Sequence, residues 1–145
     1  MTREQLGLDQ EDPKVLCLPH GLEVVGDGWF SSSDIQNVFI PNTVRELGGH
    51  AFDNCRGLRE VVFEPGSQLE TIGKCCFRAT RLARITIPKS VRDIGNYAFN
   101  GCFNLCSLRF EEGSQLAHVG KNIVCLTPLN QKYLNFPSTA QIDDY

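Results

Sequence analysis

IPNTVRELGGHAFDNCRGLREVVFEPGSQLETIGK at Ile40–Lys74 and IPKSVRDIGNYAFNGCFNLCSLRFEEGSQLAHVGK at Ile87–Lys121 superimpose without a gap at an offset of 47 residues. Each unit is itself double, because Ile40, Phe63, Ile87 and Phe110 hold equivalent places 23, 24 and 23 residues apart. A period in the twenties marks a solenoid, in which each turn stacks only on its neighbours and buries with them an apolar face it could not bury alone. About five turns of 22–25 residues are expected over 15–136, after a polar N-terminal extension or cap at 1–14 and before a C-terminal tail at 137–145.

Each turn carries one strand signature of the form Leu-x-x-Val-x-Phe: Ile35–Ile40, Leu58–Phe63, Leu82–Ile87 and Leu105–Phe110. A degenerate first copy lies at Val15–Leu18 and a degenerate last one at Lys132–Phe136. The first, fourth and sixth residues of the signature face inward and the others face solvent. Proline, which has no N–H for a sheet ladder, and glycine then end the strand in IPNT, EPGSQ, IPKS and EEGSQ. An apolar pair and a glycine follow in every turn: Val44/Leu47, Leu69/Ile72, Val91/Ile94 and Leu116/Val119. In Gly-x-x-Ala-Phe-x-x-Cys the spacing puts Ala51, Phe52 and Cys55 on one face of a short helical turn. Phe30, Phe52, Phe77 and Phe99 fall in one column, continued by Val124, and read as an internal aromatic stack.

Composition narrows the function. A net charge of −3 and a pI near 5.6 leave no basic footprint for nucleic acid. No apolar run reaches the length of a membrane span, and Thr2–Lys14 lacks the apolar region of a signal peptide. The seven cysteines do not read as a disulfide framework. Cys55 and Cys102 share a column in alternate turns, with Thr80 between them, and alternate turns of parallel strands stand about 10 Å apart. That exceeds the roughly 7 Å reach of a disulfide. Cys76 shares its column with Ala51 and Ala98, where a small buried residue is wanted. Buried thiols acting as small hydrophobes are the main expectation; a single disulfide or an exposed reactive thiol are the alternatives.

The pattern IPxxVxxIGxxAFxxCxxLxxI resembles the BspA-like leucine-rich repeat, most closely at Ile87–Leu108 and nearly as well at Ile40–Val61. The resemblance covers roughly Leu16 to Tyr133. It implies an α/β leucine-rich-repeat solenoid, a right-handed superhelix with a parallel β-sheet on its concave face. It also implies adhesion to host or partner macromolecules at a microbial cell surface, and it brings no catalytic residues. Thr80 and Thr127 replace the motif cysteine and Val124 the phenylalanine, while the last turn, Leu126–Phe136, is stretched and carries Pro128. The ends are read as the cut edge of a longer array or as surfaces that pair with another copy.

Strands stacked in register place outward residues in three columns: Gln36, Arg59, Ala83, Cys106; Asn37, Glu60, Arg84, Ser107; and Phe39, Val62, Thr86, Arg109. Lys132, Tyr133 and Asn135 extend them. Phe39 and Val62 form an apolar pair where solvent is expected, and Arg59, Arg84 and Arg109 form a diagonal with only Glu60 to neutralise it. Arginines beside an exposed apolar pair are the residues of a contact surface. Phe39, Arg59, Val62, Arg84, Thr86 and Arg109 are therefore the candidate concave-face site for a protein or glycan partner.

Chemistry is not expected. His50 and Cys75 share a column, but no Cys-x₂-Cys pair accompanies them: Cys102 and Cys106 have three residues between them, and Cys75 and Cys76 are vicinal. A Cys–His nucleophile needs a cleft and an orienting third group, which a smooth solenoid does not supply. The expectation is a non-enzymatic binding module without cofactor or metal, acting in adhesion or cell-surface recognition, with an intracellular scaffold or self-assembling module as the alternative.

Overall fold

The structure, a computed structural model, describes residues 14–130 and 133–143. Two short strands recur in each coil. One series is β1 (Val15–Cys17), β3 (Asn37–Ile40), β5 (Glu60–Phe63), β7 (Arg84–Ile87) and β9 (Ser107–Phe110). The other is β2 (Val24–Val25), β4 (Glu46–Leu47), β6 (Thr71–Ile72), β8 (Asp93–Ile94), β10 (His118–Val119) and β11 (Gln141–Ile142). Every pairing is parallel. The second series runs unbroken as a six-stranded sheet, whereas the first divides into β1-β3-β5 and β7-β9. Each of β3, β5, β7 and β9 begins two residues after the first apolar residue of its signature, which sits buried in the bend.

The expected helical turn is absent, and so is any α-helix among the described residues. Ala51 and Phe52 instead lie in consecutive reverse turns bracketed by left-handed residues, His50 (φ 59°) and Asn54 (φ 60°), and Cys55 follows the bracket. The bracket recurs as Cys75 and Ala79, Tyr97 and Gly101, and Asn122 and Leu126. Alternate amides then serve different partners. Ala51, Asp53 and Cys55 donate within the coil, while His50, Phe52 and Asn54 donate to Lys74, Cys76 and Arg78 carbonyls of the next coil at 2.8, 2.9 and 2.7 Å. A helix would consume all of these donors internally; the turn form frees half of them for stacking. The architecture is therefore a parallel β-solenoid with a third ladder along its turns rather than an α/β one.

The core is one continuous cluster of the inward residues of both strand series. Phe30, Phe52, Phe77 and Phe99 stack with centroids 5.4, 5.5 and 5.6 Å apart and interplanar angles of 14°, 2° and 8°, within the range of favourable aromatic pairs. Val124 continues the column and is buried. Cys55 and Cys102 donate to the carbonyls of Phe30 and Phe77, each at 3.0 Å, with Ser33 and Thr80 hydroxyls beside them at 3.4 and 3.3 Å. Cys55, Cys75, Cys76 and Cys102 are buried free thiols, and burial raises all four above the ordinary cysteine pKa. Cys106 and Cys125 depart from that expectation and are exposed. At the C-terminal end no strand forms at residues 133–136, although Phe136 packs its ring on Phe110 at 5.4 Å. Gln141–Ile142, within the stretch read as a tail, pair with β10. Lys132 lies outside the described residues.

Two side-chain devices fix the coil spacing. The glycines after β4, β6, β8 and β10 press on the neighbouring coil: a Cβ on Gly95 would stand 2.5 Å from the backbone nitrogen of Lys74. On the turn side, buried Asp53 receives Arg78 of the next coil through Nε at 2.9 Å and Nη2 at 2.7 Å, and His50 Nδ1 at 2.8 Å. Burial alone would raise the Asp53 pKa. The hydrogen bonds from Arg78 and His50, with their charges, outweigh it and hold the carboxyl below its ordinary value.

Gly95→Ala must push two backbones apart and is expected to cost about 1–3 kcal/mol, measured by urea unfolding against the wild type. Asp53→Asn removes an ionic acceptor from two donors, and with Arg78 half-exposed the expected loss at pH 7 is about 1–2 kcal/mol. Because the folded pKa lies below the unfolded one, the wild-type advantage is complete above the unfolded value of 3.8 and fades as pH falls through the folded value. The two unfolding curves should therefore converge in acid. Site-resolved alkylation of native protein should label Cys106 and Cys125 first, with Cys55, Cys76 and Cys102 reacting only as the fold opens.

Candidate functional site

The register brings the predicted columns together in two blocks. Asn37 faces Glu60 and Phe39 faces Val62 in one, and Arg84 faces Ser107 and Thr86 faces Arg109 in the other. Arg59, Arg84, Thr86 and Arg109 are exposed and Val62 is half-buried. Phe39 is a correction: it is only 7% exposed. It lies between Cys17 and Val62 on the flanking strands, so cross-strand neighbours occupy the space expected for solvent. The exposed apolar pair is thus reduced to Val62.

Between the blocks the sheet opens, and backbone chemistry gives the reason. Each paired strand of this series is entered through one carbonyl that accepts two successive amides: Lys14 from Gln36 and Asn37, Gln36 from Arg59 and Glu60, and Ala83 from Cys106 and Ser107. Arg59 occupies the same column, but its carbonyl receives no such pair; the bond Arg81 N–H to Leu58 O, 2.8 Å, stands in its place. Thr80-Arg81-Leu82 is one residue shorter than Cys55-Arg56-Gly57-Leu58, so the chain enters β7 out of step with β5. At the far end, the amides of Glu64 and Glu111 close their strand pairs on the Ile40 and Ile87 carbonyls at 3.0 Å each. Pro88 holds that place after β7 and has no N–H. The β5–β7 seam therefore lacks a clasp at both ends, while β6–β8 and the turn ladder keep the coils stacked.

The seam forms a groove of about 1000 Å³, and Arg59, Arg84, Thr86, Arg109 and Val62 all line it. Val61 and Phe63, inward residues of β5, are half-exposed there, whereas their counterparts Val38, Ile40, Ile85 and Ile87 are buried. The charge balance differs from the sequence expectation, since Glu64 and Glu111 reach the groove as well as Glu60. Glu64 and Glu111 carboxylates accept the backbone amides of Asn42 and Lys89 at 3.0 and 3.4 Å, and Arg59 binds Gln36 Oε1 at 3.0 Å. Arg84 and Arg109 make no ion pair or side-chain hydrogen bond among the described residues, so their guanidinium groups remain available.

Sequence reasoning missed Asp53 and Arg78, the half-buried ionic tie on the turn side, and Arg56, Asn100, Phe103 and Leu126 around it. The signals were present. Asp53 and Arg78 share a column as opposite charges in adjacent coils, and Phe103 follows the motif cysteine where Arg56 stands two coils earlier. His50 is engaged by Asp53, and no three histidine, cysteine or acidic residues gather to hold a metal among the described residues.

Several solved structures share this architecture. The pneumococcal vaccine antigen PcpA aligns with a TM-score of 0.71 at 22% identity, over 80% of this chain and 38% of that one. A leucine-rich repeat protein from Eubacterium ventriosum aligns at 0.60 and 13% identity, over 88% and 47%. A leucine-rich cell surface protein from Faecalibacterium prausnitzii aligns at 0.55 and 20% identity, over 89% and 43%. The chain thus spans less than half the length of each, and at these identities the likeness is one of fold. No curated protein matches the sequence. The profile of the BspA type leucine-rich repeat region matches residues 23–145 in six copies, and the chain belongs to that family.

Proposed function

We propose that this chain is a non-enzymatic protein-binding repeat module whose contact surface is the groove at the β5–β7 seam, and that it serves adhesion or recognition at a cell surface. The observation that carries the reading is the pair Arg84 and Arg109: two exposed guanidinium groups without side-chain partners among the described residues, flanking a groove with half-exposed Val61, Val62 and Phe63. Arginine over apolar surface is the combination that most often supplies interface energy. Thr86, in register with Arg109, adds a hydroxyl between the two. A partner presenting carboxylates beside an apolar or glycan ring surface fits this groove. The cell-surface part of the reading draws on two fold neighbours, one described as a vaccine antigen and the other as a cell surface protein.

Purified chain applied to arrays of surface proteins and glycans tests the reading. Targets of the groove should lose binding by about a hundredfold or more with Arg84→Glu/Arg109→Glu, since reversing two contact charges turns attraction into repulsion. Arg92→Glu, immediately before β8, should leave the same targets bound. Equal binding by the wild type and the double variant would remove the groove from the account.

A further inference from the structure

The reverse-turn side carries a second recess, of about 520 Å³, with walls from successive coils. Its floor comes from the left-handed column that closes each turn. In two coils that column holds Asn54 and Leu126, and between them it holds Ala79 and Gly101. The two smallest side chains in the middle make the surface dip. One rim is apolar and open: Phe103 is 72% and Leu126 65% exposed. The other rim is polar. Asn100 and Arg56 line it. Arg56 commits only Nε, to Asn54 Oδ1 at 2.8 Å, and has no carboxylate partner among the described residues. Asp53, the single carboxylate lining the recess, is already matched by Arg78 and His50.

An open apolar rim and a guanidinium without a carboxylate stand within one recess, and together they specify an occupant. We propose that the recess docks an extended segment of a protein partner in which an apolar side chain is followed by a carboxylate. The apolar side chain covers Ala79 and Gly101 between Phe103 and Leu126. The carboxylate meets Arg56. A bare anion would leave the apolar rim unused, and an uncharged apolar group would leave Arg56 unmatched. This surface is independent of the groove at the strand seam.

Titration of the ¹⁵N-labelled chain with the N-acetylated, C-amidated peptide Gly-Leu-Glu-Gly, followed by NMR, tests the proposal. Saturable shifts are expected at the amides of Ala79, Gly101 and Leu126 and at the Asn100 side-chain amide. Replacing the peptide's glutamate by glutamine, its leucine by serine, or Arg56→Glu in the protein should each weaken binding about tenfold, as loss of one charged or anchoring contact does. Leu126→Ser should do the same. Arg56 and Leu126 are exposed, and spectra unchanged away from the recess will confirm that these variants fold. Arg84→Glu/Arg109→Glu should leave the peptide affinity as it is. Shifts confined to the strand seam, equal binding of the glutamine peptide, or no effect of Arg56→Glu would overturn the proposal.

Discussion

The structure rests on a single constraint: no coil can satisfy its own backbone. The strands of a coil are two to four residues long, and in its turns every second amide points away from its own coil. Phe52 must find Cys76, Phe77 must find Ala98 and Phe99 must find Ile123, each in the next coil. Buried peptide groups without partners are costly, so a coil is stable only between neighbours at a fixed rise and in fixed register. The other regularities follow. A constant rise with little rotation keeps equivalent phenylalanine rings nearly parallel at 5.4–5.6 Å, and it leaves no room for a Cβ at Gly95 against the coil below. The thiols of Cys55 and Cys102 fill positions where one donor must reach a phenylalanine carbonyl.

A lattice held by three ladders can lose one locally and persist, and the β5–β7 seam is that case. A connection shorter by one residue and a proline at the exit remove the clasp at both ends. Pro41 also follows a strand, yet β1 and β3 still pair, because the Lys14 carbonyl holds the entry of β3. One clasp is enough and none is not. The opening exposes part of Val61 and Phe63 and stands between Arg59 on one side and Arg84 on the other. The groove proposed as the contact surface is thus a local failure of the repeat, as expected where a sequence departs from internal consistency.

This division explains what could be read from sequence. Period, apolar columns, strand positions and the phenylalanine stack were legible because they depend on spacing alone, and spacing repeats. The turn conformation was not. An i, i+3 pattern of Ala51, Phe52 and Cys55 fits a helical turn and a pair of reverse turns equally well. What decides is left-handed backbone that falls at Cys75, Ala79, Tyr97 and Leu126 as well as at His50 and Asn54, and the first four are residue types that carry little such signal. The strand-face columns were legible within each block, as Thr86 opposite Arg109 shows. Phe39 was misplaced because alternation assigns a face and says nothing of what flanks it. Glu64 and Glu111 were missed as groove residues because they lie in the turns, outside the strand pattern, and swing back to cap amides beside it.

The two recesses differ in origin, which bears on how such a module changes partners. The seam groove depends on backbone: the strands part where a connection is one residue shorter and where Pro88 offers no N–H. The turn-side recess depends on side-chain size in one column, where Ala79 and Gly101 are small and Leu126 is large. A single enlargement at Ala79 would fill it without touching any ladder, because the residue's amide, not its side chain, carries the bond to Asn100 O. Backbone pairing thus fixes the scaffold, while positions such as 79, 103 and 126 remain free to vary. Substitutions at these turn positions leave the backbone ladders that hold the coils together intact, whereas the seam side chains Arg59, Glu64 and Glu111 also bond across coils.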